Sequence, residues 1–299
     1  MDTRRNSSGF TITELMVALA VMILVMSQVM YAYTNQHTKS KEHERLVENQ
    51  SEVRLVTDVI LNDLRMAGFM VHETASIGSI DGGTTGSDTL CVSDPNAIDD
   101  AVVDNASVRL TGAKLTTAVT AGDTSLTLLA SSMDIDEDGD VDFVDGAGVL
   151  ISGGDEVHCG RITGVGSSSI TFTPALPGGF SITPSEGIIV PALTYVVNGT
   201  ELSRNGMVLS DQVEDLQVEF GVDVDSNGLV EGAEFPIDDL TGQDLNLVRT
   251  ARIHVTGRTS RGVEGFAGQF AAVANRNAGT ADDFKRRRVT ADATLRNMR

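Results

Sequence analysis

The chain has 299 residues, with 42 Asp and Glu against 22 Lys and Arg, a formal net charge of −20, two cysteines and no tryptophan. A surface this acidic repels phosphate backbones, so nucleic acid is not an expected partner. The length exceeds what one small domain needs and leaves room for a second domain or an insertion.

The first eight residues, MDTRRNSS, are polar and cationic through Arg4 and Arg5. After Gly9 comes FTITELMVALAVMILVM, an apolar run whose only charge is Glu14. No side chain from Leu15 to Gln36 is formally charged, and a helix of about 20 such residues crosses a bilayer. The cationic flank predicts that the chain starts in the cytoplasm and continues outward. An ordinary secretory signal is cut beyond its apolar stretch, after small residues. Here the expected cut lies ahead of that stretch, so the helix is retained. A carboxylate inside a membrane helix is costly unless it finds a partner, which gives Glu14 a functional reading; a plain signal anchor with Glu14 near the headgroups is the alternative.

The pattern G-F-T-x-x-E ahead of an apolar helix resembles the class III signal of type IV prepilins and type II secretion pseudopilins. That resemblance implies cleavage between Gly9 and Phe10 by prepilin peptidase, a membrane aspartyl protease, and N-methylation of the new Phe10 amine. It also implies that Glu14 pairs with the Phe10 amine of a neighbouring subunit during docking. The expected location is the inner membrane, single-pass with a periplasmic head, and later a hetero-oligomeric filament at the cell surface shared with major and minor pilins.

The helix continues without proline to Ala67-Gly68-Phe69. Leu46, Val53, Val56, Ile60, Leu64 and Ala67 recur at spacings of seven, three, four, four and three, which marks one apolar stripe for packing on a head. Gly68 reads as its left-handed cap. The segment D-L-R-x-A-G-F at Asp63 to Phe69 is similar to the helix end of PilW-like minor pilins. Residues 194–221 and the tail FKRRRVTADATLRNMR resemble the sheet region of the same family, while the middle of the chain departs from it.

Cys91 and Cys159 suit one disulfide in an oxidising periplasm, with two buried free thiols as the alternative. Between about 107 and 183 the segments SVRLTG, TSLTLLA, GVLISG, CGRITGVG and SSITFTP alternate apolar and polar residues between glycines, as short strands do. They predict a small all-β module inserted in the head, or else hairpins elaborating its main sheet.

Two segments fit the twelve-position calcium loop D-x-[DN]-x-[DN]-G-x5-[DE]: DIDEDGDVDFVD at Asp134 to Asp145 and DVDSNGLVEGAE at Asp223 to Glu234. Calcium takes six to eight oxygens, so acidic residues at alternate positions converge while the sixth-position glycine permits the bend. The first loop offers Asp134, Asp136, Asp138, the Asp140 carbonyl, Asp142 through water, and Asp145, whose side chain is short for the last position. The second offers Asp223, Asp225, Asn227, the Leu229 carbonyl, Glu231 and a bidentate Glu234. Neither is flanked by helical patterns, so both are expected between strands. An aspartate-rich chain makes acidic turns by composition alone, but composition does not place a glycine at position six and an apolar residue at position eight in both.

No G-x-S-x-G, H-E-x-x-H or phosphate loop is present, and catalysis is not expected. Lys285-Arg286-Arg287-Arg288 reads as a basic strand balancing an acidic body, and His158 beside Cys159 as a structural histidine. The expected fold is α+β: a long N-terminal helix, half transmembrane and half amphipathic, packed on an antiparallel β-sheet pilin head with an inserted all-β module. Along the chain this gives a leader at 1–9, a membrane and filament-core helix at 10–36, an amphipathic helix at 37–70, a loop-rich connector at 71–106, the module at 107–183 and a pilin sheet region at 184–299. The family resemblance predicts a minor pilin of a type IV pilus in a priming or tip complex. A type II secretion pseudopilin of the J kind and a calcium-dependent adhesin head on a pilin stalk are the alternatives.

Overall fold

A computed structural model describes residues 11–69, 71–98, 112–136, 138–154, 156–295 and 297. The chain divides into two units, residues 1–48 and residues 49–299. Among the described residues the one α-helix is α1 (Ile12–Met66), long and apolar enough near its start to cross a membrane.

In the first unit every side chain of α1 from Ile12 to Lys41 is exposed, including the apolar ones up to Tyr33. A helical stretch that is apolar all round and covered by none of the described residues is matched to lipid rather than water.

In the second unit α1 packs by the stripe read from its sequence. Val53, Val56, Ile60, Leu64 and Ala67 are buried, whereas Leu46, expected on the same stripe, is only partly covered. Packing therefore starts at Asn49, whose side-chain amide donates to the Arg258 carbonyl (2.9 Å). Each large apolar side chain buried here stabilises the head by roughly 1.5–3 kcal/mol. At Gly257 the approach is close: a Cβ there would collide with the Val53 side chain. The helix ends at Gly68, with φ of +77°, whose N–H donates to the Ser93 hydroxyl (3.0 Å).

The strands are β1 (Ile77–Ile80), β2 (Thr89–Ser93), β3 (Val119–Thr120), β4 (Ser125–Thr127), β5 (Gly148–Gly153), β6 (Glu156–Val165), β7 (Ser169–Thr173) and β8 (Ser181–Ile182), followed by β9 (Ile188–Asn198), β10 (Glu201–Arg204), β11 (Met207–Ser210), β12 (Val213–Val222), β13 (Val248–Arg258), β14 (Gly268–Gln269), β15 (Ala281–Asp282) and β16 (Arg286–Thr294). Nine of them form an antiparallel sheet in the order β1-β2-β9-β5-β6-β7-β4, with β10 and β11 added beside β9, and β12-β13-β16 form a second. The core under α1 draws on both, with Leu90, Leu193 and Tyr195 from the first and Leu216, Phe220, Ile253 and Val255 from the second. The fold is thus one long helix packed on antiparallel sheets.

Residues 71–106, expected as a loop-rich connector, supply β1 and β2, and β2 pairs with β9. The segment DGGTTGSD at 81–88 connects these two strands. The segment 107–183 carries β3 to β8 and encloses a core of its own around Leu126, Val149, Ile162, Ile170 and Phe172. At the same time β5 pairs with β9, for example Leu150 with Val190, so its sheet continues that of the head. Most of the SVRLTG segment lies outside the described residues. A disulfide joins Cys91 on β2 to Cys159 on β6, both fully buried.

Asp88, before β2, joins the two sheets. Its carboxylate accepts from the N–H groups of Gly82 (2.9 Å) and Val218 (2.8 Å), and its own N–H donates to Leu216 (2.8 Å). Burial pushes its pKa up from 3.8 to about 7 against those two hydrogen bonds, with Asp81 and Asp215 adding repulsion. The folded head thus retains a proton that the unfolded chain releases near pH 3.8. That stabilisation is present at low pH and lost as pH rises from about 4 through about 7. Urea unfolding of the wild type between about pH 5 and about pH 8 should show this loss, and Asp88→Asn should flatten it; equal slopes would exclude Asp88 as the source.

Candidate functional site

Gly9 and Phe10 lie outside the described residues. Glu14 sits in the first turn of α1, where its carboxylate accepts from the Thr11 N–H (2.9 Å) and the Thr11 hydroxyl (2.9 Å). The Glu14 N–H in turn points at that hydroxyl (3.3 Å). This reciprocal capping satisfies two donors at the open end of the helix and gives the carboxylate partners within its own turn.

In the loop before β5 the carboxylates of Asp134, Asp136 and Asp138 come together, all within 4.8 Å of one another. Gly139, with φ of +102°, lets the chain turn back so that its N–H reaches Asp134 (3.0 Å), while the Asp140 N–H reaches Asp138 (2.8 Å). Asp134 Oδ1 is buried without a hydrogen-bond partner. Asp142 is turned toward the Ile135 N–H instead of joining the three. Burial pushes its pKa up to about 6, reinforced by Asp136, Asp134 and Asp138 and opposed by that hydrogen bond. Asp140 and Asp145 are exposed, and neither belongs to the carboxylate group.

The second loop leaves the end of β12. Asp223, Asp225 and Glu234 form its carboxylate group within the same 4.8 Å limit. Gly228, with φ of +85°, donates to Asp223 (3.1 Å), the counterpart of the Gly139 contact. Asn227 accepts from the Leu229 N–H (2.7 Å), and Glu234 accepts from Asp225 (3.2 Å) and Glu231 (3.0 Å). The Glu231 side chain instead closes a capping box on the short turn Gly232–Glu234. Val230, the apolar eighth position, packs over Gly221 of β12, where a Cβ would come within 2.7 Å of it.

Both loops offer hard oxygen donors, a turn around a left-handed glycine and, in the first, an orphaned buried oxygen, a set that fits a calcium-sized cation. The loop pattern missed Arg249, whose Nε lies 3.7 Å from Asp223. It also gave no hint of a buried network under α1, where Asp63 accepts from the Tyr195 hydroxyl and from Arg204 Nε (2.9 Å). The available signal was Asp63's position on the apolar stripe, three residues after Ile60.

The remaining features are structural. His158 is buried between Phe172 and Phe180 with Nε2 3.2 Å from the Pro174 carbonyl, and burial lowers its pKa. In the basic run, Arg286 pairs with Glu214 and Asp282, and Arg288 donates to the Ala271 and Ala272 carbonyls.

Residues 4–27 match the family described as "Prokaryotic N-terminal methylation motif". No curated protein matches the chain. The motif, the apolar N-terminal helix and the antiparallel sheets support a type IV pilin-like protein of the pilin or pseudopilin type. It is anchored in a membrane through that helix.

Proposed function

We propose that the protein is a minor pilin of a type IV pilus, PilW-like, stored in the inner membrane with its head in the periplasm. In this reading prepilin peptidase cuts after Gly9, the Phe10 amine is methylated, and the subunit enters a priming or tip complex with other pilins. The observation that carries it is the methylation motif at residues 4–27 leading into α1, a helix of 55 residues. The role is assembly rather than catalysis. Glu14 supplies the docking charge: its capping contacts are local and exposed, so a neighbour's Phe10 amine can replace them.

The head would be stabilised by calcium at two loops. Asp134, Asp136 and Asp138 would hold one ion, and Asp223, Asp225 and Glu234 the other, with Asn227 and the Asp140 and Leu229 carbonyls completing the sets. Bound calcium supplies positive charge that offsets the repulsion within each carboxylate group.

Gene deletion, scored for surface pili, twitching motility and secreted protein together, tests the assembly role. The expected result is loss of pili and twitching with secretion intact, restored by the wild type and not by Glu14→Ala. Secretion lost while pili persist would make the protein a pseudopilin and overturn the reading.

A further inference from the structure

Along β9, Leu193 and Tyr195 face the core under α1, so by strand alternation Thr194 and Val196 point to the opposite face of the nine-stranded sheet, as does Thr89, which precedes Leu90, the register partner of Tyr195 on β2. On that face lies a groove of about 420 Å³. The size suits a small organic ligand, since such sites run from about 300 to 1,000 Å³. Its lining divides into three chemistries. Ile80, Val196 and Pro174 give an apolar strip; Thr89, Thr173 and Asn198 give hydroxyl and amide groups that both donate and accept; and Arg161 on β6 gives the one charge.

Several arginines of the head already hold a carboxylate, and Arg161 does not. Arg204, Arg249, Arg252, Arg276 and Arg286 each pair with a carboxylate. Arg161 has no carboxylate partner among the described residues, in a chain where acidic residues outnumber basic ones 42 to 22. Its Nε donates to the Gly146 carbonyl (3.2 Å), which fixes the plane of the guanidinium. The group lies against Gly206, where a Cβ would come within 2.6 Å of its terminal nitrogen. Absence of a side chain at Gly206 therefore makes room for it. An exposed guanidinium held by its Nε keeps its two terminal NH₂ groups for a planar, bidentate acceptor, and a carboxylate is that acceptor.

We propose that this groove binds a carboxylated sugar. Arg161 takes the carboxylate, Thr89, Thr173 and Asn198 take ring hydroxyls, and Val196, Ile80 and Pro174 cover the C–H face of the ring. A simple carboxylate would use only the arginine, and a neutral sugar would leave it unpaired. The site is independent of the filament role and of the calcium loops.

The test is calorimetric titration of the full-length protein in detergent micelles with D-glucuronate and with N-acetylneuraminate, against D-glucose and acetate as controls. Saturable binding is expected for at least one sugar acid, with glucose and acetate at least about tenfold weaker. Arg161→Gln should weaken the sugar acid by at least about tenfold, and Thr89→Val by a smaller factor, because loss of a charged partner costs more than loss of a neutral hydroxyl. Arg161 is exposed, so an unchanged melting temperature checks that the variant head is folded. Absence of saturable binding by either acid at millimolar concentration would overturn the proposal. So would binding indifferent to Arg161→Gln, or acetate bound as tightly as the sugar acids.

Discussion

The full-length protein in detergent micelles should unfold at a clearly higher temperature in millimolar calcium than in EGTA. Each loop gathers three carboxylates within 4.8 Å of one another. Without a cation they repel, and the native contacts found there, such as Gly139 N–H to Asp134 and Gly228 N–H to Asp223, offset only part of that repulsion. An ion bound only by the folded head stabilises it by about 2.7 kcal/mol per site when its concentration exceeds Kd by about a hundredfold. For a chain of this size, each kcal/mol moves the midpoint by about 2–4 °C, so two sites predict a shift on the order of 10 °C or more. Asp134→Ala and Asp223→Ala should each remove about half of it, and magnesium, which demands tighter octahedral geometry, should give less. An unchanged midpoint in millimolar calcium would sink the calcium assignment while leaving the assembly role standing.

The second large effect is expected from Asp63→Ala. Asp63 accepts from the Tyr195 hydroxyl and from Arg204, and its side chain and that of Arg204 are 10% and 30% exposed. Truncation leaves a largely covered guanidinium and a buried phenol without their acceptor. Removal of one partner from a buried pair costs about 3–5 kcal/mol, and the partial exposure of Arg204 places this case near about 3 kcal/mol. The melting midpoint should then fall by about 6–12 °C. The double variant Asp63→Ala with Arg204→Met should recover part of the loss, because it removes the stranded charge. A loss under about 1 kcal/mol in the single variant would show that apolar packing alone seats the helix.

Local features of the fold were legible in the sequence. The apolar run after Gly9, the stripe from Val53 to Ala67 and the cap at Gly68 depend on residues within a few turns of one another, and periodicity reports such relations directly. The carboxylate groups were legible for a similar reason, since positions one, three and five of the first loop, and one and three of the second, are neighbours in the chain, and position twelve of the second belongs to the same short motif. Two of the expected ligand side chains also have a local donor in the fold. Asp142 is taken by the Ile135 N–H and Glu231 by the turn it caps, and spacing does not reveal such competition. Non-local pairings were not legible at all. The insertion of β5 between β9 and β6, and the partners of Asp63 and Asp88 more than 100 residues away, arise from tertiary packing that leaves no periodic trace.

The contact at Gly257 carries a mechanical consequence. With the Val53 side chain seated against bare backbone and the Asn49 amide tied to the Arg258 carbonyl, there is no clearance for the head's part of α1 to slide or rotate on β13. Tension applied along this part of the helix therefore passes into β13 at its closing end and across its ladders to β12 and β16. There it is shared among the backbone hydrogen bonds of two ladders. A bulkier residue at Gly257 would turn this rigid coupling into a slipping one, and the helix would be drawn out of the head at lower force.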